Sequence, residues 1–368
     1  YKNNVFRPYN LFLNEHYFLS VVDSCKNLIF CVTTIIIIAW VYAAPISVAF
    51  SIFSHDLQSD NSDVICTNAV LEIHYITMGL LYLTMLYYKK PLMTLINKMN
   101  EDYAEITTMS VEEKAINKVF VLKSQRIMKL CVLLFGSIAI AFPLKTYLAM
   151  AFRRELIYLE EITYPEILEE RKYNIWIFIL MNISLLSTDF FGALIYFCFV
   201  PMGPIFTLHV CQRLQIIIHR IKNIFPEKGK ISDVEEAERK LKEIAKFLQK
   251  THDKNNNKVS TYPNYSFVLN LQGFMKTGTF RLEFITMTIG LVIYTSIPCY
   301  YGDVLCRTGE EVRLAIYECN WHQNYSRRTH IMLLMLHQRI SKPITLTTLF
   351  GNVNLEALGE VTLYFSIL

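Results

Sequence analysis

Long runs of apolar residues, each close to the length that crosses a lipid bilayer, alternate with polar segments along this chain. A helix needs about 20 apolar residues to span the hydrocarbon core of a membrane. The predicted spans cover residues 28–53, 64–88, 130–152, 173–208, 259–275, 284–302 and 343–368. The pattern therefore predicts an all-α membrane protein with seven transmembrane helices, forming one domain over residues 1–368.

Two of these spans depart from the usual length. The run at 173–208 is longer than a bilayer is thick, so we expect it to project beyond the membrane. The run at 259–275 is short and contains Pro263. As a helix it would reach about 25 Å, which is marginal for a hydrocarbon core of about 30 Å.

Basic residues are distributed unevenly between alternate connecting segments. With a cytoplasmic N-terminus, residues 1–27, 89–129, 209–258 and 303–342 hold 29 of the 36 Lys and Arg residues. The segment 54–63, on the other side, carries three Asp and no basic residue. Because cytoplasmic loops are enriched in Lys and Arg, we predict a cytoplasmic N-terminus, the inverse of a G-protein-coupled receptor.

Composition supports a membrane protein and offers little for enzyme chemistry. The 368 residues are 53% hydrophobic and 18% charged, whereas soluble domains carry about 25% charged residues. None of the nine cysteines forms a CxxC pair, and no GxGxxG, GxSxG, Walker or HExxH motif occurs. We therefore predict no enzyme activity, no metal and no cofactor. Glu72 and Asp189, inside spans, suit either a proton relay or interior polar packing.

Two polar segments have amphipathic helical patterns. In residues 231–250, one face carries Ile231, Val234, Leu241, Ile244 and Leu248. Residues 310–322 place Leu314, Tyr317 and Trp321 at three- and four-residue spacing. Such faces are either solvated or packed, and we expect packing against partner subunits because aromatic side chains favour burial.

The last seventy residues carry the most specific pattern in the chain. Residues 298–305 read Pro-Cys-Tyr-Tyr-Gly-Asp-Val-Leu, and 315–322 read Ala-Ile-Tyr-Glu-Cys-Asn-Trp-His. Residues 338–347 read Gln-Arg-Ile-Ser-Lys-Pro-Ile-Thr-Leu-Thr. This succession closely resembles the C-terminal signature of insect odorant receptors, whose members are seven-helix subunits of odorant-gated cation channels.

The resemblance implies a function and a set of partners. A receptor of this kind binds small volatile, mostly apolar molecules and opens a non-selective cation pore in olfactory signal transduction. It assembles with a shared odorant receptor coreceptor as a heterotetramer. It resides as a multi-pass protein in the lipid bilayer of the olfactory sensory neuron dendrite, and no nucleic-acid partner is expected.

The exterior halves of the spans supply the residues of a candidate ligand pocket. They are His74, Tyr75, Phe142, Thr146, Met150, Trp176, Leu180, Ser184, Phe284 and Met287. Aromatic, methionine and hydroxyl side chains suit a small, weakly polar ligand. Ordinary helix–helix packing uses the same residue types, and the resemblance favours a pocket here.

The last predicted span is the candidate pore helix. Glu356 and Glu360 are four residues apart and share a helical face, so fourfold repetition would form acidic rings that attract cations. Ion pairs with nearby basic residues are an equal alternative. The resemblance places a hydrophobic gate at Ile367, by alignment on Tyr364, and an assembly anchor in the preceding segment. The anchor candidates are Tyr317, Trp321, Arg339 and Pro343.

The chain departs from the family pattern at the fifth span. Family members continue from a cytoplasmic helix into a full-length crossing, whereas here polar residues 253–258 and then Pro263 follow His252. A divergent gene, a mis-predicted exon boundary or a degraded, non-functional copy would explain this departure. For the function of the chain, the alternative is a related gustatory-receptor-like channel subunit. The sequence also opens at Tyr1 rather than Met, and we expect further N-terminal residues before it.

The predicted orientation can be tested at a single site. Asn324-Tyr325-Ser326 is a glycosylation sequon, and with a cytoplasmic N-terminus it lies in the cytoplasm. We predict that Asn324 carries no glycan, measured as an unchanged gel mobility after glycosidase treatment. A sugar on Asn324 would contradict the inverted topology.

Overall fold

In the parts of the chain that the computed structural model describes, the protein is helical apart from one pair of two-residue strands. The described residues are 39, 46, 49, 72, 75–76, 78–84, 87–156, 174–224, 234–255, 282–321, 326–340, 347–348, 351–352 and 355–356. The helices are α1 (Lys89–Glu105), α2 (Val111–Arg153), α3 (Ile175–Phe199), α4 (Met202–Lys222), α5 (Val234–Asn255), α6 (Leu282–Glu318) and α7 (Arg327–Ile340). A 3-10 turn, Ile106–Thr108, connects α1 to α2. The predicted all-α fold is confirmed.

Helix α2 has 43 residues, a length of about 65 Å, which is twice the hydrocarbon thickness of a membrane. It begins with a capping box. The Ser110 hydroxyl accepts a hydrogen bond from the Glu113 N–H, and the Glu113 carboxylate accepts one from the Ser110 N–H, both at 3.2 Å. These bonds satisfy two N–H groups at the helix start that have no partner within the helix. The helix ends at Arg154, which has a left-handed φ of 55°.

The predicted span over residues 173–208 is divided into two helices. Because Pro201 lacks an N–H and its ring crowds the preceding turn, α3 ends at Phe199 and α4 begins at Met202. The two helices run on almost continuously, since the Ile205 N–H donates to the Pro201 carbonyl at 3.0 Å. Together they form a 48-residue helical stretch that contains an 18-residue section of mean hydropathy 1.8. Within the described residues, this stretch alone is long and apolar enough to cross a membrane by length and composition.

Helix α4 is the centre of a four-helix core formed with α5, α6 and α7. Most of its 21 residues are buried, on every side of the helix. The core contains Cys211, Leu214, Ile217 and Ile221 of α4, Leu241, Ile244 and Leu248 of α5, Leu305, Val312 and Ile316 of α6, and Leu333, Leu336 and Ile340 of α7. Burial of each large aliphatic side chain contributes roughly 1.5–3 kcal/mol.

The amphipathic helix predicted at residues 231–250 exists as α5, but its apolar face is already buried within the same chain. Leu241, Ile244 and Leu248 are 2%, 1% and 4% exposed because α4 and α7 of the same chain cover them. The expectation of intersubunit packing is therefore wrong for this face. The helix predicted at residues 310–322 is the last part of the much longer α6.

A second core joins α1 and α2 to the α3–α4 break. Leu95 and Ile96 of α1 pack with Val121 of α2 and with Ile205 and Phe206 of α4. A neighbouring cluster brings together Ile127, Cys131, Val200 and Leu208. The apolar side chains on both sides of Pro201 are thus covered by the α1–α2 pair.

The predicted helix over residues 343–368 is wrong for the described residues 347–348 and 351–352. Thr347 and Thr348 form a two-residue strand paired antiparallel with Gly351 and Asn352. Threonine is β-branched and favours extended backbone, while glycine disfavours a helix interior. Helix is present again at Leu355. The predicted spans at 28–53 and 259–275 lie almost wholly outside the described residues.

The close approach of α3 to the helical segment 78–84 brings Met78 against Gly192, where an added Cβ would overlap the flexible end of the Met78 side chain. We predict that Gly192→Val destabilises the protein by about 1–3 kcal/mol through overpacking. The measurement is the melting temperature in detergent. The matched control is Gly136→Val in α2, where nothing lies within 4 Å of the added Cβ. Equal melting temperatures for the two variants would contradict the close approach.

Candidate functional site

The structure describes six of the ten side chains predicted to line a ligand pocket. Tyr75, Thr146 and Ser184 are buried, with exposures of 2%, 8% and 5%, and Met150 is half-buried. Trp176 and Leu180 are exposed. His74 and the side chains of Phe142, Phe284 and Met287 lie outside the described part of the chain.

Helix α3 has two distinct faces, which separate the predicted pocket residues. The exposed face carries Trp176, Ile179, Leu180, Ile183, Leu186, Phe190 and Leu194. These residues recur every three or four positions and are apolar, as expected of a face in contact with lipid. Ser184, Thr188 and Gly192 recur every four positions on the buried face. The structure therefore brings Ser184 into the interior and leaves Trp176 and Leu180 on the outside.

Ring contacts set the register of the helices around Ser184. Phe135 of α2 stacks on Tyr196 of α3, with ring centroids 5.8 Å apart, and Asn117 of α2 bonds Gln212 of α4. These two contacts show that α2 runs antiparallel to α3–α4. Thr146, eleven residues beyond Phe135, consequently lies level with the Ser184 turn of α3.

The segment 78–84 approaches the same part of α3 from another side. Tyr82 meets Phe191 edge to face at 5.6 Å, and Met78 packs against Gly192. Tyr75 lies one turn before Met78, so the buried Tyr75, Thr146 and Ser184 come from three helices that meet along a common stretch. Their phenol and hydroxyl groups give a mostly apolar interior a small number of hydrogen-bonding groups, the usual composition of a small-molecule site.

Two buried carboxylates lie on the same helices. Glu72 Oε2 and Asp189 Oδ2 are buried and have no hydrogen-bond partner among the described residues. Asp189 is three residues before Gly192, and Tyr75 is three residues before Met78, which places Asp189 and Tyr75 near one level. The sequence had singled out both carboxylates as polar residues inside predicted spans.

The predicted pore residues are mostly outside the described part of the chain. Glu356 is helical and exposed. Glu360, Tyr364 and Ile367 are not among the described residues. The acidic rings and the hydrophobic gate therefore remain sequence predictions.

The predicted anchor residues lie on an exposed surface of α6 and α7. Tyr317 is 73% exposed and Trp321 is 41% exposed, and Arg339 is exposed as well, while Pro343 is outside the described residues. Tyr317 borders an open groove of about 500 Å³, lined by Arg307, Glu310, Glu311, Arg313, Leu314 and His337. The Trp321 ring meets His330 edge to face at 5.5 Å, which holds the end of α6 against α7.

Polar side chains along α4 form a ladder that sequence reasoning missed. Asp102 of α1 accepts a 2.6 Å ion-pair contact from Arg213 and lies 3.0 Å from His209. All three side chains are 4% exposed or less. The Gln212 amide donates to Asn117 of α2. Buried charges require such pairing, since an isolated buried charge is costly.

The ladder continues toward the end of α4 and reaches α5. Arg220 contacts Glu113 of α2 at 2.6 Å. Burial acts to raise the pKa of the Glu113 carboxyl, but the hydrogen bond and charge of Arg220 and the Ser110 N–H outweigh it and lower that pKa below its ordinary value. The Phe247 ring of α5 lies between the two guanidinium groups, 3.9 Å from Arg213 and 4.9 Å from Arg220. Two cation–π contacts thus join α5 to the ladder.

The sequence contained a signal for this ladder. His209, Gln212, Arg213 and Arg220 recur at spacings of three, four and seven within an apolar segment. A polar stripe in such a segment predicts a helix that packs against other parts of the protein, since its buried polar side chains need hydrogen-bond or ion-pair partners such as Asp102. The acidic partners are about a hundred residues away in the sequence, so the pairing itself was not predictable.

Comparisons with known proteins point to one family. A family model described as 7tm Odorant receptor matches residues 61–363. The structure of the insect olfactory receptor OR5 from Machilis hrabei in complex with eugenol has a similar fold, with a TM-score of 0.74 and 13% identity over 92% of this chain and 88% of that chain. A second structure of the same OR5 has a TM-score of 0.73 and 13% identity, over 94% of this chain and 90% of that chain. A search of curated protein sequences finds no match.

Arg213 provides the sharpest test of the ladder. We predict that Arg213→Met lowers stability by about 3–5 kcal/mol, because Asp102 is left buried without its cation. The measurement is the melting temperature in detergent. Arg307→Met is the matched control, since Arg307 is 72% exposed in its pair with Asp303 and should cost less than about 1 kcal/mol.

The double variant Asp102→Asn with Arg213→Met separates pairing from packing. It should be more stable than Arg213→Met alone, because the uncompensated charge is removed. Additive effects of the two changes would contradict a direct interaction.

Proposed function

We propose that this chain, which belongs to the 7tm odorant receptor family, is the tuning subunit of an odorant-gated, non-selective cation channel. Membership in the family makes it a membrane protein and an olfactory receptor. The proposal adds the ion pore, the gating by ligand and the assembly with a shared coreceptor. The single observation that carries it is the match to odorant receptors in both sequence family and fold.

The proposed ligand is a small volatile molecule with a mostly apolar surface and a polar group. Tyr75, Thr146 and Ser184 support this choice, because they are buried on facing helices with apolar neighbours. The related OR5 was determined in complex with eugenol, a molecule of this chemical class. A ligand bound here shifts the equilibrium between the closed and open channel only by as much as its affinity differs between those two states.

The proposed orientation places the N-terminus, α1, the start of α2 and the four-helix core in the cytoplasm. The distribution of Lys and Arg supports this side of the membrane, and the change in burial at Pro201 supports the depth at which α3 passes into α4. Helix α3 exposes apolar residues as a lipid-facing helix does, whereas α4 is covered by its own chain. Pro201 therefore lies near the inner membrane surface in this proposal.

The proposed assembly is a heterotetramer with the coreceptor in the plasma membrane of the olfactory dendrite. The exposed Tyr317 and Leu314, on a groove with both acidic and basic residues, support a protein partner at this surface. In such an assembly the acidic Glu356 and Glu360 would attract cations at the pore, and Ile367 would close it by excluding water.

Recording currents from oocytes tests the proposal. Co-expression with the coreceptor and exposure to an odorant panel that includes eugenol should give an inward cation current. Ser184→Ala should weaken the apparent affinity of an active odorant roughly five-fold, the equivalent of one neutral hydrogen bond. Leu180→Ala, one turn away on the lipid-facing side of α3, is the matched control and should change the affinity less than two-fold.

Three results would count against the proposal. Current in the absence of the coreceptor would contradict the tuning-subunit assignment. Surface expression without any ligand response would favour a non-functional diverged copy. Equal shifts for Ser184→Ala and Leu180→Ala would contradict the position of the pocket.

A further inference from the structure

Charge is segregated along the α1–α2 pair. Residues 89–100 and 114–135 hold eight basic residues and no acidic residue. The basic residues are Lys89, Lys90, Lys98, Lys114, Lys118, Lys123, Arg126 and Lys129. All acidic residues of the pair lie between 101 and 113, at the connection between the two helices.

Three of the five acidic residues at the connection contact side chains of α4. Asp102 pairs with Arg213, Glu113 pairs with Arg220, and Glu112 lies 3.0 Å from His219. These acids are thus engaged at the far end of the pair and do not lie beside Arg126 and Lys129. The stretch level with those two residues, 199–208 at the end of α3 and the start of α4, contains no charged residue either.

The exposed face of α2 changes character at Leu130. Before that point it carries Lys123, Arg126 and Lys129, and from Leu130 to Leu148 the exposed side chains that the structure describes, apart from Ser137, are apolar. They are Leu130, Val132, Leu133, Ile140, Leu144, Tyr147 and Leu148. One continuous helical face is therefore basic along one section and suited to lipid tails along the next.

Distances along α2 place the basic section in the headgroup layer. At 1.5 Å per residue, Arg126 and Lys129 lie within about 6 Å of Leu130, and Lys123 within about 11 Å. The headgroup region adds about 5–8 Å to each side of the hydrocarbon core, and a charge acts over a further Debye length of about 8 Å. Lys90, exposed at the start of α1 and close to the exposed Tyr87, belongs to the same level. Tyrosine is enriched at this interface.

We propose that Lys90, Lys123, Arg126 and Lys129 form a surface that binds anionic phospholipids of the inner leaflet. The placement at the inner leaflet rests on the proposed cytoplasmic orientation of α1 and α2. Anionic lipids are concentrated in that leaflet and attract basic residues beside a transmembrane helix. Bound lipid would hold the α1–α2 pair, and through Asp102 and Glu113 the α4 ladder, at a fixed depth.

The test compares two double variants of the full chain, purified with the coreceptor in detergent. Arg126→Gln with Lys129→Gln removes two charges at the headgroup level. Lys114→Gln with Lys118→Gln removes two exposed charges from the same helix, about 18–24 Å from Leu130, and is the matched control. The readout is the rise in melting temperature as phosphatidylserine is added, with phosphatidylcholine as the neutral lipid.

The unmodified protein and the control should be stabilised at the same phosphatidylserine concentration. The Arg126→Gln, Lys129→Gln variant should need a roughly 30-fold higher phosphatidylserine concentration for the same stabilisation, because two basic residues that attract an anionic surface are lost. Equal responses of both variants, or equal stabilisation by phosphatidylcholine, would overturn the proposal. Stabilisation by soluble glycerophosphoserine at the same concentration would also overturn it, because that result indicates a free phosphate site.

A second measurement uses only the unmodified protein, so it tests the proposal even if a variant fails to fold. The stabilisation of the unmodified protein by phosphatidylserine should fall strongly between 0.05 and 0.5 M salt, because exposed charges are screened, and a salt-independent effect would overturn the proposal. Neither readout depends on channel activity or on orientation in a cell. A failed lipid test is therefore distinguishable from a failed odorant or glycosylation test.

Discussion

The fold depends on covering an apolar helix, α4, with side chains of the same chain. Helix α4 continues α3, whose outer face is apolar and exposed, beyond Pro201, yet its own surface is buried by α1, α2, α5, α6 and α7. Leaving such a helix in water would cost about 25 cal/mol for each Å² of apolar surface. The long extensions of α2 and α6 past membrane length follow from this requirement, since they supply the cover.

The polar ladder adds specificity to that cover. Apolar contacts alone permit helices to slide, whereas Asp102 with Arg213 and Glu113 with Arg220 fix the register of α1 and α2 on α4. Phe247 extends the same control to α5 by lying between the two guanidinium groups. Since α3 and α4 are almost continuous, the candidate ligand pocket and the four-helix core lie along one helical stretch.

Much of the architecture could be predicted from the sequence, and the failures have physical causes. Hydrophobic length and periodicity predicted an all-α fold and an amphipathic α5. They did not reveal that α4 and α7 cover Leu241 and Ile244, because the covering residues are distant in the sequence. Residue type suggested Trp176 and Leu180 for the pocket, but only the burial pattern of α3 distinguishes its inner face, with Ser184, from its outer face.

The most direct test of the account is the location of the segment between α4 and α5. An epitope tag inserted between Ile224 and Val234 would be stained in intact and in permeabilised cells that express the coreceptor. We expect staining only after permeabilisation, because the proposed orientation places the four-helix core in the cytoplasm. Staining of intact cells would contradict that placement, and with it the inverted orientation of the receptor.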